Sequence, residues 1–371
     1  MIYLDYAADT PVSERVLDAF YDAAKMHIAN PNSTHPLGVK ERLLHEDATA
    51  RIAGRLGILP NEIIFTSGAS ESNNLAIKGI AGQYKKYGKH IIATMLEHAS
   101  VLGPLEQLRA QGFEVDYVRL SRNGHVDMEH LAALVRDDTI LVTLSLVDSE
   151  IGIMQDMAPI VDLLKPLAHC HLHVDAAQAM GKLPFSLDGI DLLTAAPHKF
   201  YGLAGSGLLV VKQGVLLEGQ ILGGQSTTAM RSGTPSAAFA LACAVALEDA
   251  LDALPSRYLY VKNLCNKLRA GLCGVDGVTI NTPEGASPFI LNISILGLKP
   301  QAALQALGEQ GVCIASKSAC CAPNSLSRPV YAVTGDRKRA MSTLRISLSH
   351  LTTEWELDEF LCKLKEYLRT L

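Results

Sequence analysis

Between about Gly38 and Lys212 the sequence alternates short apolar runs with amphipathic stretches, and this alternation constrains the fold more than any other feature. A strand that returns parallel to its neighbour needs a crossover of about a dozen residues or more, which the amphipathic stretches supply as helices. The apolar runs are IIFT (63–66), HIIATM (90–95), EVDYVRL (114–120), TILVTLSLV (139–147), HLHVDAA (171–177), LLTAA (192–196) and GLLVVK (207–212). They predict an α/β fold with one large, mainly parallel sheet of seven strands. The helix over 38–56 should stop before Gly57, and that over 99–111 before Gly112, because glycine suits a left-handed C-terminal residue. An Ala/Leu-rich helix from about Ser236 to Leu254 is broken by Pro255, after which the pattern becomes helix, strand, strand, helix, strand. That shift predicts a smaller α+β C-terminal domain with strands FILNISI (289–295), VCIAS (312–316) and TLRISLS (343–349) and a terminal helix from about Thr353. The expected division is 13–254 for the large domain, and 1–12 with 255–371 for the small one.

Composition narrows the function classes. With 371 residues, 48% hydrophobic and 19% charged, the chain is globular and long enough for two cores. A net charge of −5 without any dense Lys/Arg block gives no footprint for a nucleic-acid backbone. The opening MIYLDYAADTPV carries Asp5 and Asp9 rather than a basic segment and an apolar run, so no signal peptide is expected, and no apolar stretch is long enough for a membrane span. Eight irregularly spaced cysteines in a chain of this size point to reduced thiols and a cytoplasmic protein.

Three segments carry chemistry. HVDAAQ (173–178) and HKFYG (198–202) place Asp175 and Lys199, 24 residues apart, at the ends of neighbouring strands, where open α/β sheets bind ligands. A buried acid keeps a pyridine nitrogen protonated, and an amine forms an imine with an aldehyde, which together suit pyridoxal phosphate. The plainer alternative, of equal weight taken alone, is a helix-capping Asp and a solvated Lys. In FTSGASESNN (65–74) a strand runs through small residues into a helix, a turn able to hold a phosphate but common in itself. The glycines of GLAGSG (202–207) do not fit a dinucleotide fingerprint, which disfavours a nicotinamide cofactor. SKSACCAPNSLSRP (316–329) reads as a loop bearing adjacent thiols, Cys320 and Cys321. A thiol on such a loop can reach a bound substrate and carry its load away, although ordinary loop thiols fit equally well.

Other candidates have simpler explanations. His169, Cys170, His171 and His173 resemble metal ligands in composition, but the run leads into Asp175 and is better read as strand, so no metal is expected. Cys243, Cys265, Cys273 and Cys313 fit core positions, and His27, His35, His45 and His125 fit surface or packing roles. The charges of 38–51 fit a solvated helix face.

Taken in chain order, YLDYAADTPV (3–12), FTSGASESNN, EHASV (97–101), HVDAAQAMGKLP (173–184), HKFYG with MRSGTPS (230–236), and SKSAC (316–320) resemble the cysteine desulfurase family of class V aminotransferase-fold enzymes. The resemblance implies the fold type I architecture of pyridoxal 5'-phosphate enzymes and removal of sulfur from L-cysteine. The products would be alanine and a persulfide on Cys320, for iron–sulfur cluster assembly or thiolation. It implies that Lys199 forms the imine, Asp175 meets the pyridine nitrogen, Gln178 the ring hydroxyl, and His98 stacks on the ring and helps with proton transfer. Ala69, Ser70 and His198 would hold the phosphate, Thr234 would reach the phosphate of a neighbouring subunit in a homodimer, and Ser149 would lie beside the ring hydroxyl. Arg345 would clamp the substrate carboxylate, assisted by Asn30. A long loop from Cys320 to Gly335 would deliver sulfur to an acceptor protein, without the C-terminal tail that many members use to dock a scaffold.

The chain departs from the family pattern around the cofactor. Asp148 and Ser149 stand where two asparagines are usual, Ala196 replaces a phosphate-binding serine, LAG (203–205) replaces Pro-Lys-Gly, and GGQSTTAMRSGT (223–234) lacks Glu-Arg-Gly. Cofactor binding should survive these changes, with activity or acceptor altered. The rival functions are a selenocysteine lyase, another class V aminotransferase-fold enzyme, and a non-catalytic sulfur-transfer partner.

Overall fold

The computed structural model describes residues 1–224, 228–318 and 325–370. From the N-terminus run β1 (Ile2–Tyr3), α1 (Glu14–Met26), α2 (Pro36–Leu56), β2 (Ile63–Thr66), α3 (Ala69–Tyr84), β3 (His90–Ala93), α4 (Ala99–Ala110) and β4 (Glu114–Tyr117). There follow α5 (Met128–Leu134), β5 (Thr139–Ser145), α6 (Ala158–Leu164), β6 (His171–Asp175), β7 (Leu192–Ala195), β8 (Gly207–Val211), α7 (Ala237–Asp252) and α8 (Leu254–Leu272). The remainder comprises β9 (Val278–Ile280), β10 (Ile290–Ile295), α9 (Pro300–Glu309), β11 (Val312–Cys313), α10 (Arg328–Thr334), α11 (Arg337–Met341), β12 (Thr343–Ser347) and α12 (Glu354–Leu368).

All seven expected runs pair into one sheet, in the order β2-β8-β7-β6-β5-β3-β4. The pairs β3·β4, β3·β5, β5·β6 and β6·β7 are parallel, whereas β8 is antiparallel to both β7 and β2. Two reversals restore direction, so β2 runs with β7. The C-terminal ends of β2, β3, β5, β6 and β7 therefore share one edge, and the turn after each strand meets the others there. Central β5 and β6 are buried at every position, which is why they read as continuous apolar runs rather than alternating ones.

Gly57 caps α2 in the left-handed conformation (φ 67), and Gly112 (φ 86) follows α4 in the same way. The Ala-rich α7 packs on α1 and α2. Pro255 does not simply stop it. The chain turns at Ala253, and Pro255 occupies the first turn of α8, where its missing N–H costs nothing.

In the C-terminal part, β12-β10-β9 form an antiparallel sheet, and β1 pairs in parallel with β11. VCIAS pairs regularly only at Val312 and Cys313, after which Ala315 bridges Arg345. The loop expected to reach Gly335 ends earlier: Ser327 caps α10, with Pro329 in its first turn and Gly335 (φ 66) at its end. A Ser cap followed by Arg-Pro is a helix start that the small and polar composition of the segment obscured.

Three smaller expectations need correction. Cys273 is exposed and Cys313 half-buried, while Cys243 and Cys265 are buried as expected. Glu41 is buried rather than part of a solvated face and meets His27 at 3.2 Å, while His45 packs edge-on to Phe65, one of the roles expected of it. Among the described residues no helix is long and apolar enough to cross a membrane.

Candidate active site

The shared strand edge encloses a cavity of about 360 Å³, within the range of small-molecule sites. Its lining includes Ala7, Ala8, the turn 67–71, His98, Ser145, Ser149, Asp175, Gln178, His198, Lys199, Ser318 and Arg345. Of the residues singled out in the sequence, Ala69, Ser70, His98, Ser149, Asp175, Gln178, His198, Lys199 and Arg345 meet here. Asn30 and Thr234 do not. Asn30 is exposed and accepts a bond from the Asn32 backbone N–H (2.9 Å), and Thr234 lines a second cavity of about 190 Å³ with Arg231 and Gly233. Cys320 and Cys321 lie outside the described residues.

Asp175 ends β6 and is 6% exposed, so its carboxylate must be bonded to remain there. Its Oδ2 accepts from Asn73 Nδ2 (2.8 Å) and its Oδ1 from the Ala177 N–H (2.9 Å). Asn73 also donates to Ser100 Oγ (2.8 Å), which in turn bonds His98 Nδ1 (2.8 Å). Burial lowers the His98 pKa despite the opposing charge of Asp175, so its imidazole is neutral at pH 7. Lys199 closes the short helical turn 197–199 after β7, and its ammonium donates to the carbonyls of Ala7 and Ala8, each at 2.6 Å. Gln178 Nε2 donates to the same Ala7 carbonyl (2.9 Å), while its Oε1 accepts from the buried Lys182 (3.2 Å). Burial, with Lys199 and Arg345 nearby, lowers Lys182 to about 7.

At the other end of the cavity α3 begins. Its N-cap is Gly68 (φ 156), with no side chain covering the first-turn N–H groups, so they remain open to an anion. Gly207 on β8 packs directly behind. A Cβ there would lie 2.4 Å from Thr66 Oγ1 and 2.6 Å from the Gly68 backbone, so the last glycine of GLAGSG is required for the shape of this cradle. Glu71 beside it is occupied by Arg231 Nε (2.8 Å) and the Ser67 N–H (2.7 Å). Burial first, and then Lys199, push His198 down to about 4.

Arg345 is buried on β12. Its Nη2 meets Asp5 Oδ1 at 2.7 Å, its Nη1 donates to the Ser149 carbonyl at 2.9 Å, and its buried Nε has no partner among the described residues. Asp148, where the family has asparagine, is 1% exposed and caps the turn 148–151 through bonds from the Glu150 and Ile151 N–H groups. Burial, followed by the charge of Glu150, raises its pKa from 3.8 to about 7. Glu97 is likewise raised to about 7 by burial, although Thr94 and Ser145 hydroxyls donate to it.

The Asp148 shift makes a stability prediction. A carboxyl whose folded pKa is raised binds more protons when folded, so it costs stability progressively as pH rises from about 4 to about 7. Asp148→Asn removes that penalty while keeping an oxygen to accept the turn bonds. Its stability advantage over the parent is expected to widen by roughly 2–3 kcal/mol between pH 5 and pH 8, read from denaturant unfolding at both values. An unchanged gap would show that Asp148 ionises without cost.

Sequence reasoning missed Asn73, the Ala7 and Ala8 carbonyls, Lys182 and Asp5. Asn73 had a usable signal, since it lies one helical turn beyond Ala69 and faces the same way. Lys182 had one as well, four residues after Gln178, whereas Asp5 and the Ala7 and Ala8 carbonyls had none, because their partners come from distant parts of the chain. Of the histidine run, His173 lies between Thr143 Oγ1 (2.8 Å) and Thr194 Oγ1 (3.0 Å), and His169 stacks on Tyr87.

The fit to pyridoxal phosphate is good on this geometry: a bonded carboxylate, an amine, an uncapped helix N-terminus with a glycine behind it, and a neutral imidazole all face one cavity. The class-V aminotransferase family model matches residues 2–360. The chain is 38% identical to cysteine desulfurase IscS of Escherichia coli (strain K12 / DH10B) over 366 residues, covering 96% of this chain and 90% of that one. Among solved structures it resembles a NifS-like protein (TM-score 0.93, 33% identity, all of both chains). It also resembles SspA in complex with cysteine (TM-score 0.83, 30% identity, 95% of this chain and 100% of that one).

Proposed function

Because this chain belongs to the class-V aminotransferase family and is a cysteine desulfurase, as its whole-length relatives indicate, we propose that it removes sulfur from L-cysteine with pyridoxal phosphate held by Lys199 and Asp175. The observation that carries this reading is the placement of those two side chains on one cavity, at the carboxyl edge of adjacent strands. When bound, pyridoxal phosphate supplies an aldehyde for imine formation and a ring that takes up the electron pair left at the substrate alpha carbon.

This chain's residues do the rest. Asp175 would face the ring nitrogen, with its two oxygens held in place by Asn73 and the Ala177 N–H. Ser67 to Ser70, with His198, bind the phosphate at the start of α3. Gln178, oriented by Lys182, would offer its amide N–H to the ring hydroxyl, and His98 would cover the ring. Lys199 would hold the cofactor through its amine and, when free, would take the alpha proton of the substrate. Arg345 receives the substrate carboxylate, with Asp5 and the Ser149 carbonyl fixing its plane. Cys320 as thiolate attacks the substrate sulfur: the S–S bond forms as the carbon–sulfur bond breaks, and the carbon takes a proton to give alanine.

Thr234, with Arg231 on the wall of the second cavity, serves the phosphate of a second copy in a homodimer. Residues 13–254 form the large domain, and 1–12 with 255–371 the small one, which carries the sulfur to an acceptor protein in the cytoplasm. The test is incubation of purified protein with cysteine and a reductant, followed by assay of alanine and sulfide. Both should appear in equal amounts, from a protein showing the absorbance of a lysine-bound cofactor. A keto acid in place of alanine would make it a transaminase, product from selenocysteine alone a lyase, and no product from either a non-catalytic relative.

A further inference from the structure

Glu150 lies between the cavity and the stems of the segment that bears Cys320. It is 4% exposed, and a carboxylate so buried must be well bonded. Its Oε2 accepts from Ser327 Oγ at 2.6 Å, and its Oε1 from the Ser318 N–H at 3.3 Å. One carboxylate thus holds residues on both sides of the cysteine segment. The stems are also tied to each other, since Lys317 Nζ donates to the Ser325 carbonyl (2.7 Å) and hydroxyl (2.6 Å). The residue before Glu150 holds the substrate end of the site: the Ser149 carbonyl accepts from Arg345 Nη1 at 2.9 Å. Arg345 is joined through its own backbone to Ala315, on the chain leading into the same stem.

We propose that Glu150 is a positioning residue, whose carboxylate clasps both stems of the Cys320 segment and sets their distance from the carboxylate clamp at Arg345. The proposal rests on the desulfurase reading above. Adjacent peptide units then locate the guanidinium that holds the substrate and the stems that hold the attacking thiol. The relative position of the two reacting partners depends on a frame of a few bonds. A displacement of about 1 Å in such a frame can cost about 100-fold in rate.

The test uses the holoenzyme with Glu150→Gln, Ser327→Ala and the double variant. Gln keeps the size of the side chain but loses one of the two acceptors. Cofactor absorbance, the spectral change on adding L-cysteine, and single-turnover persulfide formation are each measured. Glu150→Gln and Ser327→Ala should each slow persulfide formation by about 10- to 100-fold, with cofactor absorbance and KM for cysteine within about twofold of the parent. The double variant should be no slower than the worse single one, because both remove the same clasp. Persulfide formation at the parent rate in both single variants would overturn the proposal. So would a parallel loss of cofactor, cysteine binding and thermal stability, which marks a merely structural role. A parent protein that makes no alanine would instead overturn the desulfurase reading, and this proposal with it.

Discussion

A Lys199→Ala protein is expected to lose cysteine turnover by at least about 1,000-fold, together with the absorbance of the lysine-bound cofactor. The lysine performs two tasks that no neighbour can take over. It is the amine that joins the aldehyde, and it is the base positioned for the alpha proton. Lys182, the other buried amine nearby, points its Nζ to Gln178 Oε1 (3.2 Å) and so lies behind the residue expected at the ring hydroxyl. The fold should survive the change. The Lys199 side chain donates to the Ala7 and Ala8 carbonyls, and the Thr10 N–H bond to the His198 carbonyl continues to hold the N-terminal segment against this turn without it. Circular dichroism and melting temperature should therefore match the parent. Turnover within tenfold of the parent would remove Lys199 from the chemistry.

Cys320→Ser should abolish the cysteine-dependent protein persulfide and lower alanine formation by at least about 100-fold, while leaving cofactor absorbance intact. Serine keeps the size of the side chain but removes the sulfur that accepts sulfur. A hydroxyl is also almost wholly protonated at pH 7, whereas a thiol is partly thiolate and intrinsically more nucleophilic. Cys321→Ser is the control, expected to retain turnover, since the second thiol falls one place beyond the Ser-Ala-Cys pattern. Mass spectrometry of the protein after a pulse of cysteine reads both variants directly. A persulfide still present on the Cys320→Ser protein, with turnover unchanged, would move the chemistry elsewhere. Together with the Lys199 variant this separates the two halves of the reaction: one loses cofactor linkage and everything after it, the other only the sulfur.

Most of the large sheet was legible because each strand carries its signal locally. Buried runs such as TILVTLS need no partner to identify them, and glycines such as Gly57 mark helix ends by conformational need alone. Asp175 and Lys199 could be read for the same reason, as residues that close strands at a ligand-binding edge. The segment after Cys321 was misread where polarity concealed a helix start at Ser327, and Cys273 where an apolar pattern suggested burial.

Local periodicity and strand-end motifs thus determined the fold class, the seven strands and the placement of Asp175 and Lys199 at one strand edge. Only the tertiary structure decided what holds those residues in place. Asp5 meets Arg345 across 340 positions, Asn73 meets Asp175 across 102, and Glu150 meets Ser327 across 177. The physical reason is range: hydrophobic period and turn chemistry act over a few neighbouring residues, whereas a buried charge finds its partner only when chain closure brings distant segments together.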